Sequence, residues 1–194
     1  MDLYSGLIKR INCRTKSDEI EMSRIFREVF RCKHYKKGTY FARQGEFHDK
    51  IGFNLDGIFV MRVVRENGTE HIKSFIQQND FILATFNEKE EAPVSIQAIT
   101  DSMILEAKYS DIKVLFDDYP HLELIYRKEV EKALEAIYLR LEQVATLNAL
   151  DRYLLFKKEY SEIEELIPQY LIASYLGITP TQLSRIRKSI NKCK

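Results

Sequence analysis

The hydrophobic period of the chain changes near Tyr119-Pro120, and that change constrains its fold more than any other feature. Before it, short apolar or alternating runs follow one another over 40–42, 51–55, 58–64, 72–76, 81–86, 95–99 and 103–106. Turn residues part them: Lys37-Gly38, Gln44-Gly45, Asp56-Gly57, Asn67-Gly68 and Asn79-Asp80. Such residues favour turns because glycine accepts a positive φ and Asn or Asp bonds its own backbone. Asn67-Gly68, between 60–64 and 72–76, predicts a hairpin closed by a tight primed turn with positive φ at both central residues. Many short strands at close spacing predict an antiparallel roll, barrel or sandwich. Residues 1 to about 30 instead carry a helical period through Leu3, Leu7, Ile8, Ile11, Ile20, Ile25, Phe26, Val29 and Phe30.

Beyond the change the chain is helical throughout. Pro120 suits a first helical turn. Val130, Leu134, Ile137, Leu141, Val144 and Asn148 then alternate in steps of four and three, flanked by Glu129, Lys132, Glu135, Arg140 and Glu142. A narrow apolar seam on a charged helix is the pattern of a two-stranded dimer contact, with Asn148 placed to set its register. Packing of the same helix on its own β domain is the competing reading.

The stretch from Pro168 to Ile190 reads as helix, tight turn, helix. Leu171, Ile172 and Leu176 make the first apolar face, and Gly177 can end that helix in the left-handed conformation. Thr179 then reads as an N-cap, Pro180 as the first helical residue and Gln182 as the closing member of a capping box. Ala173 is small where two helices must approach, Ile178 plugs the turn, and Leu183, Ile186 and Ile190 share the inward face. Thr181, Arg185 and Lys188 share the other face, with Gln182 and Ser184 beside them. This is helix-turn-helix spacing with a polar, cationic second helix. Arg suits the acceptor pair of guanine, Gln can pair with adenine, and Thr179, Lys188 and the free amides of the helix start suit phosphates. Charge agrees: no acidic residue follows Glu165, while Arg185, Arg187, Lys188, Lys192 and Lys194 do, so the tail carries +5 and everything before it about −4.

Other classes are poorly served. An apolar share of 45% and a charged share of 30% describe an ordinary globular chain. No run approaches the roughly 18 apolar residues of a membrane span. The start of the chain lacks a signal-peptide core, so a cytoplasmic location is expected. Three dispersed cysteines, Cys13, Cys32 and Cys193, predict neither a disulfide framework nor a zinc site. His34, His48, His71 and His121 lie far apart, and no Gly-rich phosphate loop, nucleophile elbow or HExxH occurs, so no catalytic or metal residue is expected and the chain is not read as an enzyme.

The expected class is α+β. An N-terminal antiparallel β-roll of the double-stranded β-helix or jelly-roll kind, with flanking helices, occupies 1–118. A dimerisation helix follows over 119–148, then a helix-turn-helix domain over 149–194. In that order, with Lys37-Gly38, Gly45-Glu46, Asn54-Leu55-Asp56-Gly57, Asn67-Gly68-Thr69-Glu70 and Asn79-Asp80-Phe81 in the roll, the chain resembles the Crp–Fnr superfamily of bacterial transcription regulators. So do Ile172 to Thr179 and Leu183-Ser184-Arg185-Ile186-Arg187 in the tail. The resemblance implies a homodimer on double-stranded DNA that works with RNA polymerase. Thr179, Thr181, Gln182, Ser184, Arg185 and Lys188 would face DNA, and Phe81, Leu83, Ala84, Val94 and Ser95 would line an effector pocket.

The departures matter as well. The family's cyclic-nucleotide binders place a ribose-holding Gly-Glu after the Gly-Asp-aromatic segment and an arginine against the cyclic phosphate. Here Asn79-Asp80-Phe81 runs into Ile82-Leu83-Ala84, and the stretch from Glu91 to Ile96 holds no cation. An anion desolvated without a partner costs several kcal/mol or more, so cAMP is not expected to bind in the usual way. Three cysteines cannot supply an iron–sulfur cluster with four thiolates, no His spacing argues for haem, and no cofactor is expected beyond an unidentified small-molecule effector. With four residues after Ile190, no β-hairpin wing is expected. Operator, effector, regulated genes and the direction of regulation are not written in the sequence. A sensor that acts on a partner protein is the alternative function, since amphipathic tail helices can also grip a protein groove.

Overall fold

The computed structural model describes residues 2–11, 15–85, 87 and 89–192, with side chains through Ile190. Cys13, Cys193, Lys194 and the side chain of Lys192 lie outside the described residues. Two short helices open the chain, α1 (Ser5–Ile11) and α2 (Lys16–Val29). The single helical period expected over the first thirty residues is broken at Thr15. Its side chain accepts from the Asp18 amide while Asp18 reaches back to the Thr15 amide, a capping box that restarts the helix.

Among the described residues eight strands follow: β1 (Arg31–Tyr35), β2 (Tyr40–Ala42), β3 (Lys50–Asp56), β4 (Phe59–Val64), β5 (Glu70–Ile76), β6 (Phe81–Leu83), β7 (Ser95–Ala98) and β8 (Ser102–Lys108). They pair antiparallel in two sheets ordered β1-β8-β3-β6 and β2-β7-β4-β5, the roll expected from the short alternating runs. Strand β1 escaped the pattern because RCKHY is an edge strand with mostly exposed side chains. The β4–β5 connection is longer than a primed turn. It spans Arg65 to Thr69, closed by the Arg65 amide on the Thr69 carbonyl at 3.0 Å, and only Gly68 within it takes a positive φ.

The strands alternate their side chains between three cores. Phe41, Phe59, Ile82, Ala84, Ala92, Val94, Ile96 and Ile104 fill the inside of the roll. Ile51, Phe53, Leu105 and Ala107 point the other way, against Leu7, Ile11, Met22 and Phe26 of the opening helices and against α3 (Tyr109–Asp118). On the outside of the second sheet, Ile58, Val60, Ile72, Phe75 and Ile99 join the tail in one continuous core.

The tail begins with α4 (Pro120–Thr146) and continues through α5 (Ala149–Glu159), a 3-10 turn at Glu164–Leu166, α6 (Gln169–Leu176) and α7 (Pro180–Lys192). Tyr153, Phe156, Tyr160, Leu171, Ile172, Tyr175 and Leu183 pack on the roll through Phe75, whose ring lies 5.5 Å from Tyr160 and 5.6 Å from Tyr175. The helix-turn-helix expected over 149–194 therefore shares its core with the roll. The Ser174 hydroxyl adds two bonds to β5, donating to the Glu70 carbonyl at 3.2 Å and accepting from the Ile72 amide at 3.4 Å.

Candidate nucleic-acid interface

Local chemistry builds the two-helix unit. Gly177 ends α6 with φ 68° and ψ 34°, a left-handed cap that costs glycine little. Its amide and that of Ile178 close on the Ser174 and Ala173 carbonyls, at 3.1 and 3.0 Å. Thr179 Oγ1 then accepts from the Gln182 amide at 3.2 Å, while Gln182 Oε1 accepts from the Thr179 amide at 2.9 Å and from its hydroxyl. The capping box read from the sequence is present, and it commits the Gln182 oxygen to the cap.

Helix α7 is two-sided. Leu183 is fully buried, and Ile186 and Ile190 pack beside it. Thr179, Thr181, Gln182, Arg185 and Lys188 are exposed, and Ser184 is half-buried. Arg187, counted with the cationic tail, turns inward instead. Its Nε donates to the Tyr153 hydroxyl at 2.9 Å and its NH2 to Glu164 Oε1 at 3.0 Å. Tyr153 also donates to Glu164 at 2.5 Å, and burial with that bond pushes the phenol above its ordinary range while Arg187 opposes the shift. This triad bolts α7 to α5 and the 3-10 turn. Sequence spacing missed it because a lone arginine on a basic helix gives no sign of which way it points.

The first part of α4 belongs to the roll. Leu122 is buried, Tyr126 meets Tyr109 hydroxyl to hydroxyl at 2.9 Å, and Glu129 takes Arg10 at 2.7 Å. Further on, Val130 is half-buried and Leu134, Ile137, Leu141 and Val144 are exposed, between 52% and 66%. Asn148 departs from the expected seam. Helix α4 ends at Thr146, and Asn148 is the N-cap of α5, its Oδ1 accepting from the Asp151 amide at 3.0 Å. The step of four from Val144 leads past the end of α4 and onto a cap.

The expected effector-pocket residues do not converge. Phe81 and Leu83, on one face of β6, pack toward the opening helices, whereas Ala84 and Val94, just outside β6 and β7, pack into the roll. The Ser95 hydroxyl accepts from the Gln44 amide at 2.9 Å. The buried charge facing the roll interior is an acid. Glu106, two residues after Ile104 on the same face of β8, accepts from Tyr35 at 2.9 Å and from Lys50 at 3.0 Å. Burial and that carboxylate push the Tyr35 phenol far above its ordinary range. Cys32 is a free thiol, and among the described residues no group of three or more His, Cys, Asp or Glu is placed to hold a metal. Among them no helix is long and apolar enough to cross a membrane.

Residues 32–119 match the cyclic nucleotide-binding domain family. Among curated proteins none matches the chain. Among solved structures, the c-di-GMP responsive global regulator CLP of Xanthomonas campestris superposes with a TM-score of 0.72 at 16% identity, over 89% of this chain and 92% of CLP. FixK2 from Bradyrhizobium japonicum gives 0.75 at 16% identity, over 84% and 85%. The Thermus thermophilus catabolite activator protein gives 0.58 at 17%, over 99% and 87%. At these identities the likeness is one of fold.

Proposed function

We propose that this chain, whose residues 32–119 match the cyclic nucleotide-binding domain family and whose fold matches CLP, FixK2 and the catabolite activator protein, is a homodimeric, sequence-specific DNA-binding transcription regulator and not an enzyme. The observation that carries this reading is the outward face of α7. Thr181, Arg185 and Lys188 stand exposed opposite the buried Leu183, while capping and an inward Arg187 hold the helix rigid. Arg185 reads guanine, Thr181 and Ser184 contact bases or sugar, and Thr179, Lys188 and the helix start hold phosphates. Pairing through Leu134, Ile137, Leu141 and Val144 sets two such helices into successive major grooves about 34 Å apart, and RNA polymerase is the partner at the promoter.

Selection of bound duplexes from a random pool tests this directly. Enrichment of a near-palindrome is expected, and Arg185→Ala is expected to cost about 1–3 kcal/mol on that sequence while relaxing preference at one position of each half. A variant with unchanged affinity and preference would sink the reading and favour a protein partner. The effector, if the roll takes one, is not cAMP bound in the usual way, because the interior presents Glu106 and packed apolar side chains to the phosphate. Calorimetry is expected to show no heat of cAMP binding at micromolar concentration; a saturating isotherm there would overturn this part.

A further inference from the structure

Two arginines, one from α4 and one from α5, hold the last carbonyls of α6. Arg140 of α4 donates through NH2 to the Tyr175 carbonyl and through NH1 to Gln143 Oε1 at 3.4 Å. Its guanidinium carbon stands 4.1 Å from the centre of the Tyr175 ring. Arg152 of α5 donates through Nε to the Leu176 carbonyl at 3.1 Å and through NH1 to the Leu147 carbonyl at 2.7 Å. Tyr175 and Leu176 are the last two residues of α6, and Leu147 is the C-cap of α4. The end carbonyls of a helix lack partners within it and carry the negative end of its dipole, so cations held there are stabilising. One guanidinium thus closes the ends of α4 and α6 together, and a second, rooted on α4 itself, holds α6 by bond and ring face.

The place of Arg140 along α4 gives this a consequence. It lies three residues after Ile137 and one before Leu141, so one short stretch of helix offers apolar side chains to solvent and a cation to the reading unit. We infer that Arg140 is a positioning residue: it transmits the setting of the paired α4 helices to the helix-turn-helix, and so fixes the separation of the two recognition helices. This rests on the DNA-reading, dimeric function proposed above. Arg140 touches no DNA in this account and acts through Tyr175.

Hydrogen exchange and operator spacing together test the inference on the full chain. In Arg140→Ala, amides over 147–156 and 171–177 are expected to exchange about tenfold faster while those of β3, β7 and β8 keep their rates. On selected palindromes whose halves are moved apart or together by about two base pairs, the native protein is expected to lose about tenfold in affinity and the variant less than about threefold. Arg140→Lys, which keeps the charge and loses the planar stack, is expected to fall between them. Unchanged exchange in Arg140→Ala overturns the inference, as does faster exchange spread evenly over roll and tail in both variants, which would mark a general stabiliser. Exchange confined to the tail with spacing preference intact also overturns it. Should the native chain select no DNA at all, the function above fails, while the exchange experiment still reports whether Arg140 holds the tail.

Discussion

Helices α4 and α6 carry equally regular apolar spacing, and the fold treats them in opposite ways. Of the eight residues of α6, Leu171, Ile172, Ala173, Tyr175 and Leu176 are buried, because the helix lies between β5 and α7. Of the 27 residues of α4, only Leu122 is buried. Periodicity says that a helix has an apolar face and leaves open whose surface will cover it. Where the same chain supplies the cover, the result is a core; where it does not, Leu134, Ile137, Leu141 and Val144 stay at half exposure or more. The 16% identity to solved relatives leaves that distinction to the residues themselves.

Charges placed in the seam test the contrast most severely. With Ile137 and Leu141 both replaced by Asp, two apolar side chains per subunit, each worth about 1.5–3 kcal/mol when buried, give way to carboxylates. Sedimentation is expected to show the dimer dissociation constant raised by at least about a thousandfold, with the subunit still folded. A double variant that sediments as a dimer places the interface elsewhere.

The core that covers α6, to which Phe156 of α5 belongs, answers to truncation instead. Phe156 is 1% exposed and stacks among Phe75, Tyr160 and Tyr175, so Phe156→Ala is expected to cost about 3–5 kcal/mol. Because roll and tail share that core, thermal unfolding of the native chain is expected as one transition, shifted down as a whole in the variant. Two separated transitions would show that the tail folds on its own, and the contrast with α4 would lose its basis.

The smallest effect belongs to the roll interior. The His48 Nε2 is buried and without a hydrogen-bond partner, the ring lies 4.5 Å from Phe41, and burial holds the imidazole below its ordinary pKa of 6.5. The unfolded chain therefore takes up the proton first as pH falls. Stability is full above the ordinary histidine range and declines as pH drops through it. Denaturant midpoints from pH 8 to about pH 5 are expected to show this decline, and His48→Leu is expected to lessen it. A slope that the substitution leaves intact assigns the effect to other groups.

Much of this was legible beforehand because it is local. The capping box of Thr179 and Gln182, the left-handed Gly177 and the inward Leu183 are each fixed by neighbours within a few residues. The strands of the roll were legible wherever one face is apolar. What escaped depended on distant partners. The charged β1 is a strand because β8 pairs with it, Arg187 turns inward because Tyr153 and Glu164 wait there, and Asn148 caps α5 because α4 stops two residues earlier. The pocket residues went astray for a simpler reason: Phe81 and Leu83 share the face of β6 that looks toward the opening helices, while Ile82 between them looks into the roll with Ala84 and Val94.

Strand β5 is the last in its sheet, and the backbone groups that Ser174 engages are those such a strand would otherwise present to solvent. A bare sheet margin invites any passing extended chain to add itself as another strand. Helix α6 is consequently also the sheet's guard, and its freedom to swing is bounded by the need to keep that margin shielded. Any rearrangement of the tail has to slide α6 along β5, or bring a substitute to it, before letting go.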